Sequence, residues 1–211
     1  MNHTFLCLPF PVFVVGLGRN LRKERTCMRV ISGVYKGKSL KAVPGMKTRP
    51  TSDKVKEALF HRIGPYFEGG SGLDLYAGTG SLGIEAISRG IDSCVFVDKA
   101  PQSVKIIKQN LKTVAVEEHT EVYCNDVLRA LSALGKRKKT FDIIFMDPPY
   151  HKLVIAGLLE GIAEMSLLNE KGIVICEHHS SSTLSDEIAG FTKQSTERYG
   201  DTSVSIYERA E

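Results

Sequence analysis

The tetrapeptide Asp147-Pro148-Pro149-Tyr150 suits one chemical problem, the activation of an amine on a flat aromatic base. Such an amine is a poor nucleophile because its lone pair is delocalised into the ring. The Asp147 carboxylate and the Pro148 carbonyl can each accept an N–H bond, which favours a pyramidal nitrogen and stabilises its developing positive charge. The prolines fix φ and donate nothing, and Tyr150 offers a ring for stacking. The alternative interpretation is a strand that ends in a proline turn.

A glycine-rich stretch provides a second set of candidate residues. An apolar strand containing Asp74 leads into a turn and then a helix, and the turn is formed by Tyr76, Ala77, Gly78, Thr79 and Gly80. Glycines let backbone N–H groups approach a ligand at the positive end of the helix. The next apolar run ends in Asp98, which is placed to hold the two hydroxyls of a ribose. The glycine-rich turn and Asp98 together indicate a cofactor that contains adenosine, but they do not identify it.

A third acid follows a third predicted strand. Thr120 to Cys124 reads as this strand, and Asp126 and Val127 come just after it. Asp126 could accept a hydrogen bond from an adenine amino group while the adjacent backbone N–H reads the ring. It could equally cap the helix that follows, and both roles are compatible.

Composition limits the class of protein. The 211 residues are 42% hydrophobic and 25% charged, which fits one ordinary globular domain with a small appendage. The five cysteines include no C-x-x-C pair, which favours reduced thiols and a cytoplasmic location. His178 and His179 are neighbours on a predicted strand and so point to opposite faces. We expect no metal.

Basic residues are concentrated near the start of the chain. Residues 28–56 contain eight lysines and arginines and one acid, although the net charge of the whole chain is +4. Two short apolar segments around a glycine-containing turn predict a basic β-hairpin, which we interpret as a nucleic-acid-binding face. The candidate RNA-binding residues are Arg29, Lys36, Lys38, Lys41 and Lys47. A merely solvated hairpin is the alternative.

Residues 1–27 are excluded from the fold prediction. Their apolar run is short, is broken by Pro9 and Pro11, and has its positive charges after it, so it fits neither a bilayer span nor a secretory signal. Lys23-Glu24 could be encoded by a purine-rich ribosome-binding site shortly before Met28. We therefore interpret Met28 as the start and residues 1–27 as a translated leader, with a genuine N-terminal extension as the alternative.

The remaining pattern predicts an α/β fold. Apolar strands alternate with helices through five strands, which indicates a doubly wound parallel sheet, and the last two strands around Gly200-Asp201 read as an antiparallel hairpin. We predict a Rossmann-like, seven-stranded, mostly parallel sheet. The predicted divisions are the leader (1–27), the basic hairpin (28–50) and the main domain (51–211). A compact chain that closes its own sheet favours a monomer.

The order of these motifs resembles class I S-adenosylmethionine-dependent N-methyltransferases. More closely, residues 28–33, 49–53 and 57–60 and Tyr199-Gly200-Asp201 resemble the bacterial family that methylates N2 of one guanine in 16S ribosomal RNA. The resemblance implies that the residues of the glycine turn and Asp74 cradle the methionine half of S-adenosylmethionine. It further implies that Asp98 holds the ribose, that Asp126 and Val127 read the adenine, and that Arg49 and Thr51 close the pocket.

The same resemblance implies a substrate and a catalytic tetrapeptide. Asp147, Pro148, Pro149 and Tyr150 would bind a guanine flipped out of 16S rRNA in the small ribosomal subunit or an assembly intermediate, with no membrane involved. Alternatives remain open at this point. Adenine N6 chemistry on RNA or DNA uses the same tetrapeptide, and an NAD-dependent oxidoreductase uses the same glycines and Asp98. A non-catalytic RNA-binding module is a further alternative.

Overall fold

The structure is a computed structural model that describes residues 28–44, 53–148 and 152–210, without the side chains of residues 152 and 153. Its helices are α1 (Asp53–Ile63), α2 (Ser81–Ser88), α3 (Pro101–Val114), α4 (Val127–Lys136) and α5 (Lys152–Glu164). Its strands are β1 (Ser71–Leu75), β2 (Ser93–Asp98), β3 (Thr120–Cys124), β4 (Phe141–Met146), β5 (Leu168–His179), β6 (Glu187–Ile188), β7 (Phe191–Tyr199) and β8 (Thr202–Arg209). A 3-10 turn covers Glu117–His119. None of the helices described is long and apolar enough to span a bilayer.

The strands form one sheet in the order β3-β2-β1-β4-β5-β8-β7-β6. Strands β1 to β5 run parallel to one another, and β8 lies antiparallel between β5 and β7. The inner strands are continuous apolar runs because helices cover both faces of a parallel sheet. This arrangement confirms the predicted Rossmann-like fold with an antiparallel C-terminal hairpin.

Two details differ from the sequence prediction. The sheet has eight strands and not seven, because Glu187 and Ile188 pair with the start of β7. Two residues are too few to produce a recognisable alternation of apolar and polar side chains. The apolar run from Gly172 to Glu177 predicts the fifth strand, but β5 begins at Leu168 and ends at His179, because its polar ends continue the pairing with its neighbours.

Apolar clusters cover both faces of the sheet, one cluster on the first face and two on the second. On one face, α4 and α5 pack against the sheet, with Leu131, Leu159 and Ile162 fully buried. On the other face, α1, α2 and α3 do the same, and the segment 28–44 joins their core. The two layers hold the strands in place and leave their carboxyl ends free to carry a site.

The segment 28–44 folds as a minimal hairpin. It contains one antiparallel bridge, between Arg29 and Ser39, and backbone hydrogen bonds from the N–H of Val30 to the carbonyl of Lys38 and from the N–H of Leu40 to the carbonyl of Met28. Met28, Val30 and Leu40 are buried against α2 and α3, so packing contributes more to this segment than its short ladder does. Residues 1–27 and 45–52 lie outside the described residues, and so does the proposed leader.

Candidate active site

The carboxyl ends of four parallel strands meet at one edge of the sheet. Leu75 is in register with Val97 and Met146, and Asp98 is in register with Cys124. The residues that follow β1, β2, β3 and β4 are therefore neighbours, and they include the turn after Leu75, Asp126 and Asp147. Ligands of open α/β sheets bind at this edge.

The glycine turn between β1 and α2 has a backbone that strongly favours glycine. Gly78 and Gly80 have φ values of 55° and 75°, and Tyr76, which is not a glycine, has a φ of 58°. A left-handed tyrosine costs about 1–3 kcal/mol, and such residues concentrate at ligand sites. Gly80 is the N-cap of α2, and no side chain caps this helix. The first N–H groups of α2 therefore follow directly from the turn.

Gly83 brings α2 close to the sheet. A Cβ atom on Gly83 would lie 2.4 Å from a ring carbon of Phe96 and 2.9 Å from the sulfur of Cys94. This is the packing role of the third glycine in a dinucleotide-binding fingerprint. It fixes the distance between the start of α2 and the end of β2.

Asp98 organises the turn from the neighbouring strand. One carboxylate oxygen accepts a hydrogen bond from the N–H of Gly78 at 2.8 Å, and the other accepts one from the N–H of Ala100 at 2.8 Å. The side chain is 7% exposed. A carboxylate has about four acceptor sites, so two remain for other donors, such as the hydroxyls of a ribose.

Asp126 caps α4. One of its carboxylate oxygens accepts hydrogen bonds from the N–H groups of Leu128 and Arg129, at 3.1 and 3.3 Å. Helix capping is one of the two roles that the sequence allowed for Asp126, and adenine binding is the other. Burial of Tyr76 and then the charge of Asp126 raise the pKa of Tyr76. Val127, the first residue of α4, is buried.

Asp74 is a buried carboxyl behind the turn. It accepts a hydrogen bond from the N–H of Gly83 at 3.0 Å and is 3% exposed. Burial raises its pKa to about 8, the hydrogen bond from Gly83 opposes this, and the charges of Asp147 and Asp98 raise it further. All of the charged side chains that shift the pKa are negative. A cationic group placed at this edge would therefore stabilise ionised Asp74.

Asp147 and Pro148 directly follow β4, beside the turn. The Asp147 side chain is solvent-accessible and Pro148 is buried. Partial desolvation by the surrounding protein and then the charge of Glu177, a buried residue of β5, raise the pKa of Asp147 to about 7. Pro149 and Tyr150, the other two predicted catalytic residues, lie outside the described residues. Within the described ranges, no three histidine, cysteine or acidic side chains are grouped as metal ligands would be.

The predicted RNA-binding residues lie on the segment 28–44. Lys36 and Lys38 are exposed in its turn, and the ammonium of Lys41 donates to the side-chain oxygen of Gln109 at 3.1 Å. Arg29 forms an ion pair with Asp53 at 3.2 Å. Lys47, Arg49 and Thr51 lie outside the described residues, so their predicted contacts with RNA and cofactor stay predictions.

Sequence reasoning missed a buried ionic network centred on Glu85 of α2. Its carboxylate accepts hydrogen bonds from the N–H groups of Ile31 and Ser32, at 2.8 and 2.9 Å. It also pairs with Lys56 at 3.3 Å and Arg89 at 2.8 Å. The Lys56 ammonium donates to the carbonyl of Arg29 at 2.8 Å, so α1, α2 and the basic segment share one polar centre. The i, i+4 spacing of Glu85 and Arg89 on an apolar helix was the available signal.

Asn110 was also missed, and it links three parts of the site. Its side-chain nitrogen donates to the carbonyls of Lys41 and Thr79, at 3.1 and 2.9 Å, and its oxygen accepts from the N–H of Lys41 at 2.7 Å. Thr79 lies in the glycine turn and Lys41 in the basic segment. The signal in the sequence was an asparagine among the apolar residues of α3. The structure buries this side chain fully, and buried polar groups need hydrogen-bond partners.

The strand order and the residues at the carboxyl edge show that the protein has a class I methyltransferase fold. Residues 28–208 match the family model described as conserved hypothetical protein 95, and the chain belongs to this family. YlbH of Bacillus subtilis (strain 168) is 50% identical over 182 residues, which are 86% of this chain and 99% of YlbH. The solved structure of yhhF from Escherichia coli has a TM-score of 0.74 and 25% identity, covering 87% of this chain and 98% of that one.

A third relative has a name that states an activity. Ribosomal RNA small subunit methyltransferase D of Haemophilus influenzae (strain ATCC 51907 / DSM 11121 / KW20 / Rd) is 31% identical over 158 residues, covering 74% of this chain and 81% of that protein. The family expected from the sequence motifs is confirmed by these matches.

Proposed function

We propose that this protein transfers a methyl group from S-adenosylmethionine to the exocyclic N2 amine of a guanine in 16S rRNA of the small ribosomal subunit. The observation that carries the proposal is the position of Asp147 and Pro148, which directly follow β4 beside the glycine turn that follows β1. The name of the H. influenzae relative supports an rRNA substrate. The choice of guanine N2 rests on the family resemblance of the sequence motifs.

The residues at the edge offer hydrogen-bonding groups and carboxyls that suit S-adenosylmethionine. The start of α2, which no side chain caps, offers backbone N–H groups, and Asp98 has acceptor capacity for a ribose. The ammonium and sulfonium groups of the cofactor would favour the ionised forms of Asp74 and Asp147, whose pKa values are raised in this structure, and Asp98 lies beside them. The bound cofactor supplies a methyl group on a positively charged sulfur. Asp74 and the turn would hold its methionine half, and Asp98, Asp126 and Val127 its nucleoside half.

The chain's own residues would then prepare the amine. The Asp147 carboxylate and the Pro148 carbonyl accept its N–H bonds, which localises the nitrogen lone pair and stabilises the positive charge that the nitrogen gains. The methylated nitrogen has one proton to lose. Asp147, with a pKa of about 7, can accept this proton near neutral pH and pass it to solvent. Positioning and charge stabilisation are the main contributions of the protein.

The test is a methyl-transfer assay with identification of the product. The full chain is incubated with radiolabelled S-adenosylmethionine and either small subunits or naked 16S RNA from cells that lack the enzyme, followed by nucleoside analysis. Label in N2-methylguanosine is expected, and Asp147→Asn should lower kcat by about 100-fold or more while S-adenosylmethionine still binds. Label in N6-methyladenosine would refute guanine as the target. No label despite cofactor binding would refute 16S RNA as the acceptor.

A further inference from the structure

The outer face of α3 carries a stripe of lysines. Lys105, Lys108 and Lys112 are exposed and spaced at i, i+3 and i+7, which places them on one side of the helix. The helix contains no acidic residue. Among the residues described, no carboxylate forms an ion pair with these three lysines. Lys112 complements the helix dipole at the last turn, but Lys105 and Lys108 have no such role.

The basic segment 28–44 runs beside this stripe. Its residue Lys41 is held by Asn110, and the carbonyl of Pro44 accepts a hydrogen bond from the side chain of Gln102 at 3.5 Å. Between these two contacts the segment passes along α3 toward the start of the helix. Lys41 of the segment therefore lies beside the cations of α3, and its ammonium contacts Gln109 of the same helix.

A shallow, open groove of about 430 Å³ lies along the stripe, and its lining residues all belong to α3: Pro101, Val104, Lys105, Lys108, Gln109 and Lys112. It leads to the active-site edge because α3 begins just after Asp98, at the carboxyl end of β2. Strands β2 and β4 are separated by β1 alone, so the carboxyl ends of these two strands are about 10 Å apart in the plane of the sheet. A chain that occupied the groove could continue directly to the reacting base.

We propose that Lys105, Lys108 and Lys112 form a second RNA-binding surface that holds the phosphate backbone next to the methylated base. This inference rests on the proposed function, because it assumes an RNA substrate. A polyanion fits better than a protein partner. Protein interfaces are centred on buried aromatic and aliphatic anchors, whereas the exposed large apolar residues of the described chain are Val34, Tyr66, Leu128 and Met165, none of them on α3.

The test compares two triple variants of the full chain with equal loss of charge. One is Lys105→Gln/Lys108→Gln/Lys112→Gln. The control is Lys136→Gln/Lys138→Gln/Lys171→Gln, whose exposed lysines precede β4 or lie near the start of β5, at the opposite edge of the sheet. Lys136, like Lys112, lies in the last turn of a helix, so the loss of the helix-dipole interaction is matched. Binding of each protein to naked 16S RNA is measured by filter retention over a salt series.

The expected result follows from counterion release. With a slope of about 0.7 per phosphate contact on single-stranded RNA, loss of three contacts lowers the salt slope by about 2 and weakens binding roughly 50-fold at 0.15 M salt. The control should bind like the unmodified protein. S-adenosylmethionine affinity should be unchanged in both variants, which also shows that they are folded. The variant with arginine at all three α3 positions should bind RNA normally.

Several outcomes would overturn the inference. Equal binding by the α3 variant and its control would show that the stripe does not contact RNA. Normal binding to naked RNA together with lost activity on small subunits would assign the stripe to a ribosomal protein. If the unmodified protein methylates no nucleoside of 16S RNA, the proposed function fails. Failure of the proposed function can be distinguished from failure of this inference, because it is measured on the unmodified protein and does not depend on the α3 lysines.

Discussion

The buried carboxyl of Asp74 should make the protein less stable as the pH rises. Its pKa is about 8 in the folded protein, against an ordinary value of 3.8. The folded state therefore retains a proton that the unfolded state releases between about pH 4 and pH 8. Stability from this group is complete below pH 4 and is lost as the pH rises toward 8. The loss is about 1.4 kcal/mol per pH unit, or about 2.7 kcal/mol between pH 5 and pH 7.

The Asp74→Asn variant removes this ionisation and keeps the shape of the side chain. The free energy of unfolding of the variant, minus that of the unmodified protein, should increase by roughly 2–3 kcal/mol between pH 5 and pH 7. Other titrating groups are common to both proteins and cancel in the difference. Urea unfolding followed by circular dichroism at pH 5, 6, 7 and 8 measures it, with the m-value as a check that the transition is unchanged.

Asp142 provides a control because its pKa is lowered by folding, whereas that of Asp74 is raised. Its carboxylate accepts hydrogen bonds from the N–H of Ser71 at 2.7 Å and from the side chain of Asn169 at 2.6 Å. Partial burial opposes ionisation of Asp142, but these hydrogen bonds outweigh it and lower its pKa. Asp142→Asn should therefore reduce stability by a similar amount at every pH from 5 to 8. The reasoning fails if the Asp74→Asn difference is as flat over this range as the Asp142→Asn difference.

The same substitution separates stability from function. If Asp74 holds the cationic half of the cofactor, Asp74→Asn removes a charge-assisted interaction worth about 1.5–3 kcal/mol, which is roughly a 10- to 150-fold loss of affinity. Calorimetry with S-adenosylmethionine at pH 8 measures this loss. A variant that is more stable and yet binds the cofactor as well as the unmodified protein would exclude Asp74 from the cofactor site.

Three further predictions concern other parts of the site. Glu177→Gln removes the negative charge that helps to raise the pKa of Asp147. The acidic limb of the pH profile of kcat should therefore move from about pH 7 to lower pH, and an unmoved limb would show that Asp147 is not the titrating group. Gly83→Ala should cost about 1–3 kcal/mol of unfolding free energy because its Cβ has no room, whereas Gly157→Ala, with nothing within 4 Å, should not destabilise α5. Tyr150→Ala should raise the KM for RNA and leave cofactor affinity unchanged in calorimetry, and a collapse of cofactor affinity would contradict its stacking role.

The elements that carry the site could be predicted because their signals are local. The apolar runs of β2 and β4 end in Asp98 and next to Asp147, and parallel strands bring such ends together. The glycine turn was recognisable because Gly78 and Gly80 have a backbone conformation that other residues rarely adopt. Strand ends and turns therefore fixed the position of the candidate site before any long-range contact was known.

The parts that escaped prediction depend on contacts between distant segments. Glu85 bonds Ile31 and Ser32, which are more than fifty positions away, and Asn110 bonds Lys41 across 69 positions. The periodicity of the apolar residues places Glu85 on α2, but it does not predict that this face of α2 packs against the basic segment. The charge count of residues 28–56 places Lys56 among the basic residues of a binding face, whereas Lys56 is 1% exposed, and its burial lowers its pKa despite its pairing with Glu85.

The network around Glu85 gives a reason for the basic segment to have a fixed position. A buried ion cluster is weak evidence for stability, because desolvation of the charges offsets most of their attraction, and such clusters are best explained by the geometry that they impose. Here the carboxylate of Glu85 binds the segment 28–44 through two backbone N–H groups. Its helix starts at the glycine turn, and Asn110 joins this turn to the same segment from the other side. The buried contacts of Glu85 and Asn110 thus join the glycine turn to the segment 28–44, so that an RNA bound as proposed along the segment and α3 would meet the edge that carries Asp147 in one orientation.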